Sequence, residues 1–108
     1  MTDRELLELA AKAAGIEHLS GEYYVSGPEL WDIERKRWWR PLTNDGDALR
    51  LAAKLSMRID TCVNTGCAAR YGIDCENVIY VGISSDNDLL KATRRAIVRA
   101  AAQIGAQM

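Results

Sequence analysis

The chain predicts an α+β fold: a small antiparallel sheet of four or five strands packed with three helices, in the order α-β-β-α-β-β-β-α. Three observations lead there. Apolar residues recur at helical spacing in three separated stretches, and the segments between them are β-prone, either alternating or continuously apolar. Short polar links join the β-prone segments, which favours antiparallel pairing. At 108 residues the chain has the size of one domain with one core, here residues 1–108, and it shows no internal repeat.

Taken in order, Thr2 opens a capping box, with its hydroxyl expected on the Glu5 amide and the Glu5 side chain on the Thr2 amide. Leu6, Leu9, Ala10, Ala13 and Ala14 follow on one helical face. Gly15 supplies the left-handed stop, so the first helix covers about residues 3–14. Tyr23, Tyr24 and Val25 make a short β-prone run that Ser26-Gly27-Pro28 ends. Leu30, Trp31 and Ile33, then Trp38 and Trp39, flank Arg35-Lys36-Arg37 as a hairpin would, and Pro41 ends the second strand.

The second helix starts near Asn44 or Asp45, with Asn44 as cap. Ala48, Leu51, Ala52 and Leu55 form its apolar stripe, widened by Leu49, with Arg50 and Lys54 facing out. Met57, Ile59, Thr61 and Val63 then alternate with polar residues as a half-buried strand. A turn at Asn64-Thr65-Gly66 leads to a weaker strand from Cys67 to Tyr71. The continuous apolar run from Val78 to Ile83 reads as the central strand, and Gly82 within it suggests a bulge or a close backbone approach. Residues Ser84 to Asp88 offer caps for the last helix. Its apolar face runs from Leu89 to Ile104, and Gly105 is expected to end it.

Composition excludes several classes. Hydrophobic residues at 48% and charged residues at 27% are ordinary for a soluble domain. A formal charge of −1 argues against a general nucleic-acid binder and against an acidic DNA mimic. No apolar run spans a bilayer and the N-terminal stretch is acidic and helical, so no membrane association and a cytoplasmic location are expected.

No established catalytic signature is present, so the chain is read as not an enzyme, with no cofactor and no metal. His18 has no carboxylate or cysteine close in sequence and reads as a surface-loop residue. Asn44, Asp45 and Asp47 resemble a cation-ligating pair, but they lack a full calcium loop and are explained by helix capping and the helix dipole. Cys62, Cys67 and Cys75 have no zinc-knuckle spacing and read as reduced, buried or half-buried thiols. Lys91, Arg94, Arg95 and Arg99 form a charged stripe on the last helix. It is solvated, faces an anion, or pairs with Asp3, Glu5 and Glu8 of the first helix.

The candidate binding surface centres on the tryptophans. Adjacent Trp38 and Trp39 point to opposite faces of a regular strand, so one enters the core and the other faces outward. An outward tryptophan beside Arg35, Arg37 and Arg40 is the aromatic-and-cation mixture that anchors interfaces or stacks on bases. The alternative is that the outward ring is covered by a further layer.

Two segments carry a family resemblance. Trp39 to Ala52, reading WRPLTNDGDALRLA, and Ala92 to Ala102, reading ATRRAIVRAAA, resemble a family of small tailed-phage and prophage proteins of unassigned activity. With the opening LLELAAKAAGI the likeness covers about half the chain, and residues 56–86, which include all three cysteines, depart from it. Arg40 stands where that family usually has asparagine or a small polar residue. The family is distantly similar to phage proteins described as an ABA sandwich, which implies helix–sheet–helix layering. The resemblance also implies an accessory protein and transfers no catalytic residue.

Two functions therefore compete. The first is a non-enzymatic phage accessory protein that binds a host protein or itself as a homo-oligomer, with counter-defence as the version to test first. The second is a small-ligand or nucleotide-binding protein that stacks its ligand on Trp38 or Trp39 and holds phosphate with the neighbouring arginines. Nucleic acid is a less favoured partner.

Overall fold

Each helix begins where a side chain satisfies its first free amides. In the computed structural model, which describes residues 2–19, 29–62, 65–83 and 88–108, α1 (Asp3–Ala14) is capped by Thr2, whose Oγ1 accepts from the Glu5 amide at 3.1 Å. The return contact differs from the expected one: the Thr2 hydroxyl donates to Glu5 Oε1 at 3.2 Å. Gly15 closes α1 in the left-handed region at φ 70°. Asn44 caps α2 (Asp45–Lys54) and Asp88 caps α3 (Leu89–Ala106), each accepting from the amide three residues on. Caps of this kind contribute about 1 kcal/mol each. Tyr23 to Pro28, Val63 of the expected alternating strand, Asn64 of the expected turn, and the candidate caps from Ser84 to Asn87 lie outside the described residues.

The strands form two antiparallel sheets. The first orders β1 (His18–Leu19), β2 (Leu30–Asp32) and β3 (Arg37–Trp39) side by side; the second orders β4 (Arg58–Cys62), β5 (Gly66–Tyr71) and β6 (Asn77–Gly82). The α+β class and the element order are as the sequence predicts, with the two-residue β1 added and the strands divided between two sheets. His18 is accordingly a half-buried strand residue paired with Asp32 rather than a surface-loop residue. Its Nδ1 is buried and finds no hydrogen-bond partner among the described residues.

Helix α3 joins the two halves. Ile97, Val98, Ala101 and Ala102 enter a core with α1, α2, Leu30 and Trp39, while Ala96 and Ala100 close onto Cys67, Ala69 and Tyr71 of β5. Small residues on both sides let the layers approach closely. This explains why β5, read as the weaker strand, is the central one of its sheet, flanked by β4 and β6. The run from Val78 to Ile83 is instead an edge strand that leaves Val78 and Tyr80 exposed.

Two glycines act differently from expectation. Gly105 lies inside α3 and is buried; a Cβ there would fall 1.9 Å from the Leu9 carbonyl oxygen of α1, so the residue allows helix contact rather than ending the helix. The close approach expected at Gly82 belongs to its cross-strand partner Gly66, where a Cβ would fall 2.2 Å from the Val81 carbonyl oxygen. Leu49 also departs from the predicted stripe of α2, since it is 69% exposed.

Candidate functional site

The β2–β3 hairpin sorts its residues strictly by face. The register pairs Leu30 with Trp39, Trp31 with Trp38, and Asp32 with Arg37. Alternation then places Leu30, Asp32, Arg37 and Trp39 on the inner face and Trp31 and Trp38 on the outer one. Trp39 is buried in the core, as expected of one of the two adjacent rings. Trp31 and Trp38 are half-buried and pack edge to face, with ring centroids 5.3 Å apart and planes at 80°. A pair with this geometry contributes about 0.5–1.5 kcal/mol beyond its area burial.

Asp32 organises the hairpin loop, which has neither glycine nor asparagine. Its Oδ1 accepts from the amides of Glu34 and Arg35, both at 3.1 Å, and its Oδ2 accepts from Arg35 Nη1 at 3.2 Å. The Lys36 amide donates to the Asp32 carbonyl, and Lys36 itself takes the left-handed conformation at φ 55°. An aspartate that satisfies two loop amides supplies what a glycine turn would otherwise provide.

Asp47 plays the corresponding part in α2. Its amide donates to the Asn44 cap, and its carboxylate turns back toward the hairpin. Oδ1 accepts from Arg37 and from Arg50 Nη2, the latter at 2.6 Å, while Oδ2 accepts from the Arg40 amide at 3.0 Å. Asp32 and Asp47 are each only 2% exposed. Burial pushes the Asp47 pKa up, but the Arg40 amide, Arg50 and Arg37 together outweigh it and hold the carboxyl below its ordinary value. Thus Asp47 does more than complement a helix dipole: it ties α2 to the hairpin.

Both carboxylates line a cleft of about 120 Å³, together with Arg35, Arg37, Trp39, Arg50 and Lys54 and apolar residues that include Leu51. Of the residues singled out from sequence, Arg35, Arg37 and Trp39 meet here. Trp38 lies on the opposite face of the hairpin. Arg40 is outside the lining and contributes its backbone amide to Asp47. Arg50 and Lys54 were expected only to face solvent; their spacing of one turn, with Asp47 three residues before Arg50, is the sequence signal for this arrangement.

The other candidate ligands have intramolecular partners. Asp45 pairs with Arg94 and Asp3 with Arg95, each at 2.7 Å, so the stripe on α3 meets acidic residues of both other helices. Among the described residues no group of three or more His, Cys, Asp or Glu side chains is placed to hold a metal ion. Within them, too, no helix is long and apolar enough to cross a membrane.

The cysteines carry no disulfide, but they do not share one environment. Cys67 is buried and Cys75 half-buried, whereas Cys62 is exposed, contrary to the expectation that all three would be covered. Burial pushes the Cys67 thiol up, a hydrogen bond with Thr93 opposes this, and the Asp60 charge adds to it. A thiol reagent at neutral pH is expected to modify Cys62 at least about tenfold faster than Cys67. Mass mapping of partially labelled protein checks this; equal labelling of the two would contradict the placement of β5 under α3.

The two faces of the hairpin thus offer different chemistry, one aromatic and outward, one cationic and recessed. No family model, curated protein or solved structure matches this chain.

Proposed function

We propose that the chain acts by binding another protein rather than by catalysis, as an accessory protein of a tailed phage or prophage. Inhibition or sequestration of a host immune component is the activity to test first. The observation that carries the reading is the Trp31–Trp38 pair on the outer face of the hairpin. Tryptophan is enriched among the residues that dominate interface energetics. The two rings already hold each other in place, so docking would cost little further side-chain freedom. The hairpin loop that follows Trp31 adds the exposed Ile33 and Lys36, an apolar and a cationic side chain of the kind mixed at interface rims.

The likeness of the α2 and α3 segments to small phage proteins supports the source of the chain. Those segments map onto capping and core packing, so the resemblance bears on kinship and not on the binding face.

Light scattering after size exclusion, together with pull-down from host lysate, tests the reading with the parent and Trp38→Ala proteins side by side. The parent is expected to self-associate or to retain a defined partner, and Trp38→Ala to weaken that association about tenfold or more. A parent protein that stays monomeric and retains nothing would overturn the reading. So would a Trp38→Ala protein that binds as the parent does.

A further inference from the structure

We propose that the recessed face of the hairpin is a binding site for a phosphate group, either as the free ion or as the terminal group of a phosphomonoester. The site is independent of the outer tryptophan face, because strand alternation puts the two on opposite sides of β2 and β3.

Charge is the first argument. Four cationic side chains, Arg35, Arg37, Arg50 and Lys54, line the cleft against two carboxylates, Asp32 and Asp47. The local excess of two positive charges matches a phosphomonoester dianion. Lys54 also lines the cleft, and among the described residues it makes no ion pair.

Preorganisation is the second. Arg37 and Arg50 converge on the same Asp47 oxygen, and Arg35 is drawn to Asp32. Each guanidinium commits one nitrogen to its carboxylate among the described residues. The side chains nevertheless remain 44–63% exposed, which leaves other N–H groups of each planar fork available. Guanidiniums held by buried carboxylates lose little freedom when they grip an oxyanion, and phosphate accepts from such forks through two oxygens at once. Asp32 and Asp47 are positioning residues in this arrangement and do not touch the ligand.

Size is the third. A cleft of about 120 Å³ is well below the roughly 300–1,000 Å³ that encloses a drug-sized molecule. It accommodates one tetrahedral oxyanion and leaves the remainder of an ester outside. Trp39 contributes a wall and is too deeply buried to stack on a base, so recognition falls on the phosphate.

Calorimetry and phosphorus NMR on the full chain, with inorganic phosphate and ribose 5-phosphate as separate probes, test the proposal. Saturable one-to-one binding that weakens with ionic strength is expected for at least one probe. Binding of phosphate alone identifies the free ion as ligand, and tighter binding of ribose 5-phosphate identifies an ester. Arg50→Gln is expected to weaken binding about tenfold or more, and Lys54→Met several-fold, with circular dichroism unchanged. Should Arg50→Gln fail to fold, Lys54→Met decides, because that lysine supports no buried carboxylate. Absence of saturable binding at millimolar probe would overturn the proposal, as would undiminished binding by folded Lys54→Met. Trp38→Ala should bind phosphate like the parent, so failure here and failure at the outer face are separately visible.

Discussion

Gly105→Ala is expected to lower stability by about 3 kcal/mol, although it places a better helix former inside a helix. Intrinsic propensity favours alanine by about 1 kcal/mol. Against this, the added Cβ would lie 1.9 Å from the Leu9 carbonyl oxygen and 2.8 Å from its carbon. Those are backbone atoms, so no side-chain rotation relieves the clash and α1 must move away from α3. Overpacking costs about 1–3 kcal/mol where side chains can adjust, and more where they cannot. The moving helix would also disturb Leu6, Leu7, Ala10 and Ala11, which form much of the larger core. Denaturant unfolding measures the difference directly, and a drop in Tm above about 10 °C should accompany it. A Gly105→Ala protein as stable as its parent would mean that Gly105 only terminates α3, as its position near the end of the apolar pattern first suggests.

Asp47→Asn should cost about 2 kcal/mol at neutral pH. The amide has nearly the same shape as the carboxylate, so the change removes charge while leaving volume. Hydrogen bonds to charged groups contribute about 1.5–3 kcal/mol each. The exposure of Arg37 and Arg50 reduces what their pairs with Asp47 are worth. The effect has a definite pH dependence. Since the folded state holds the Asp47 pKa below its ordinary value, the parent gains stability that is complete above the unfolded value of about 3.9. That gain disappears as pH falls through the folded value. The gap between parent and variant is therefore widest at neutral pH and closes as pH falls through the folded value. Unfolding curves at both ends of that range check it, and a gap independent of pH would show that Asp47 acts through packing rather than charge.

How much of this was legible in the sequence depended on whether the signal was local. The three helices were, because Thr2, Asn44 and Asp88 cap within three residues and the apolar spacing follows directly. The hairpin was legible for its strands and not for its loop, since the turn is made by the Asp32 side chain and not by a familiar turn residue. The ranking of β5 and β6 was inverted. Hydrophobicity pointed to VIYVGI, but a central position under an alanine-rich helix requires small residues, and Cys67 and Ala69 supply them. Size complementarity across 30 residues of chain has no local signature.

The candidate site divided in the same way. Arg35, Arg37 and the opposed tryptophans could be named from spacing alone. The convergence of Arg37 and Arg50 on Asp47 could not, because it joins two elements whose relative placement comes from core packing. The capping explanation of Asp47 was correct for its amide and incomplete for its carboxylate.

The position of α3 has a consequence for how this chain acquires its structure. It follows every other described element in sequence, yet its apolar face contributes to both cores. During synthesis the earlier helices and both sheets would emerge before the surface they bury against. Until then the inner side of β5 and the inward stripe of α1 face water, and the unpaired margins of a short sheet are open to other chains. Non-local closure of this kind is slow compared with helix formation. Newly made protein should therefore pass through a window in which it depends on dilution or on a chaperone, and that dependence should end when α3 docks.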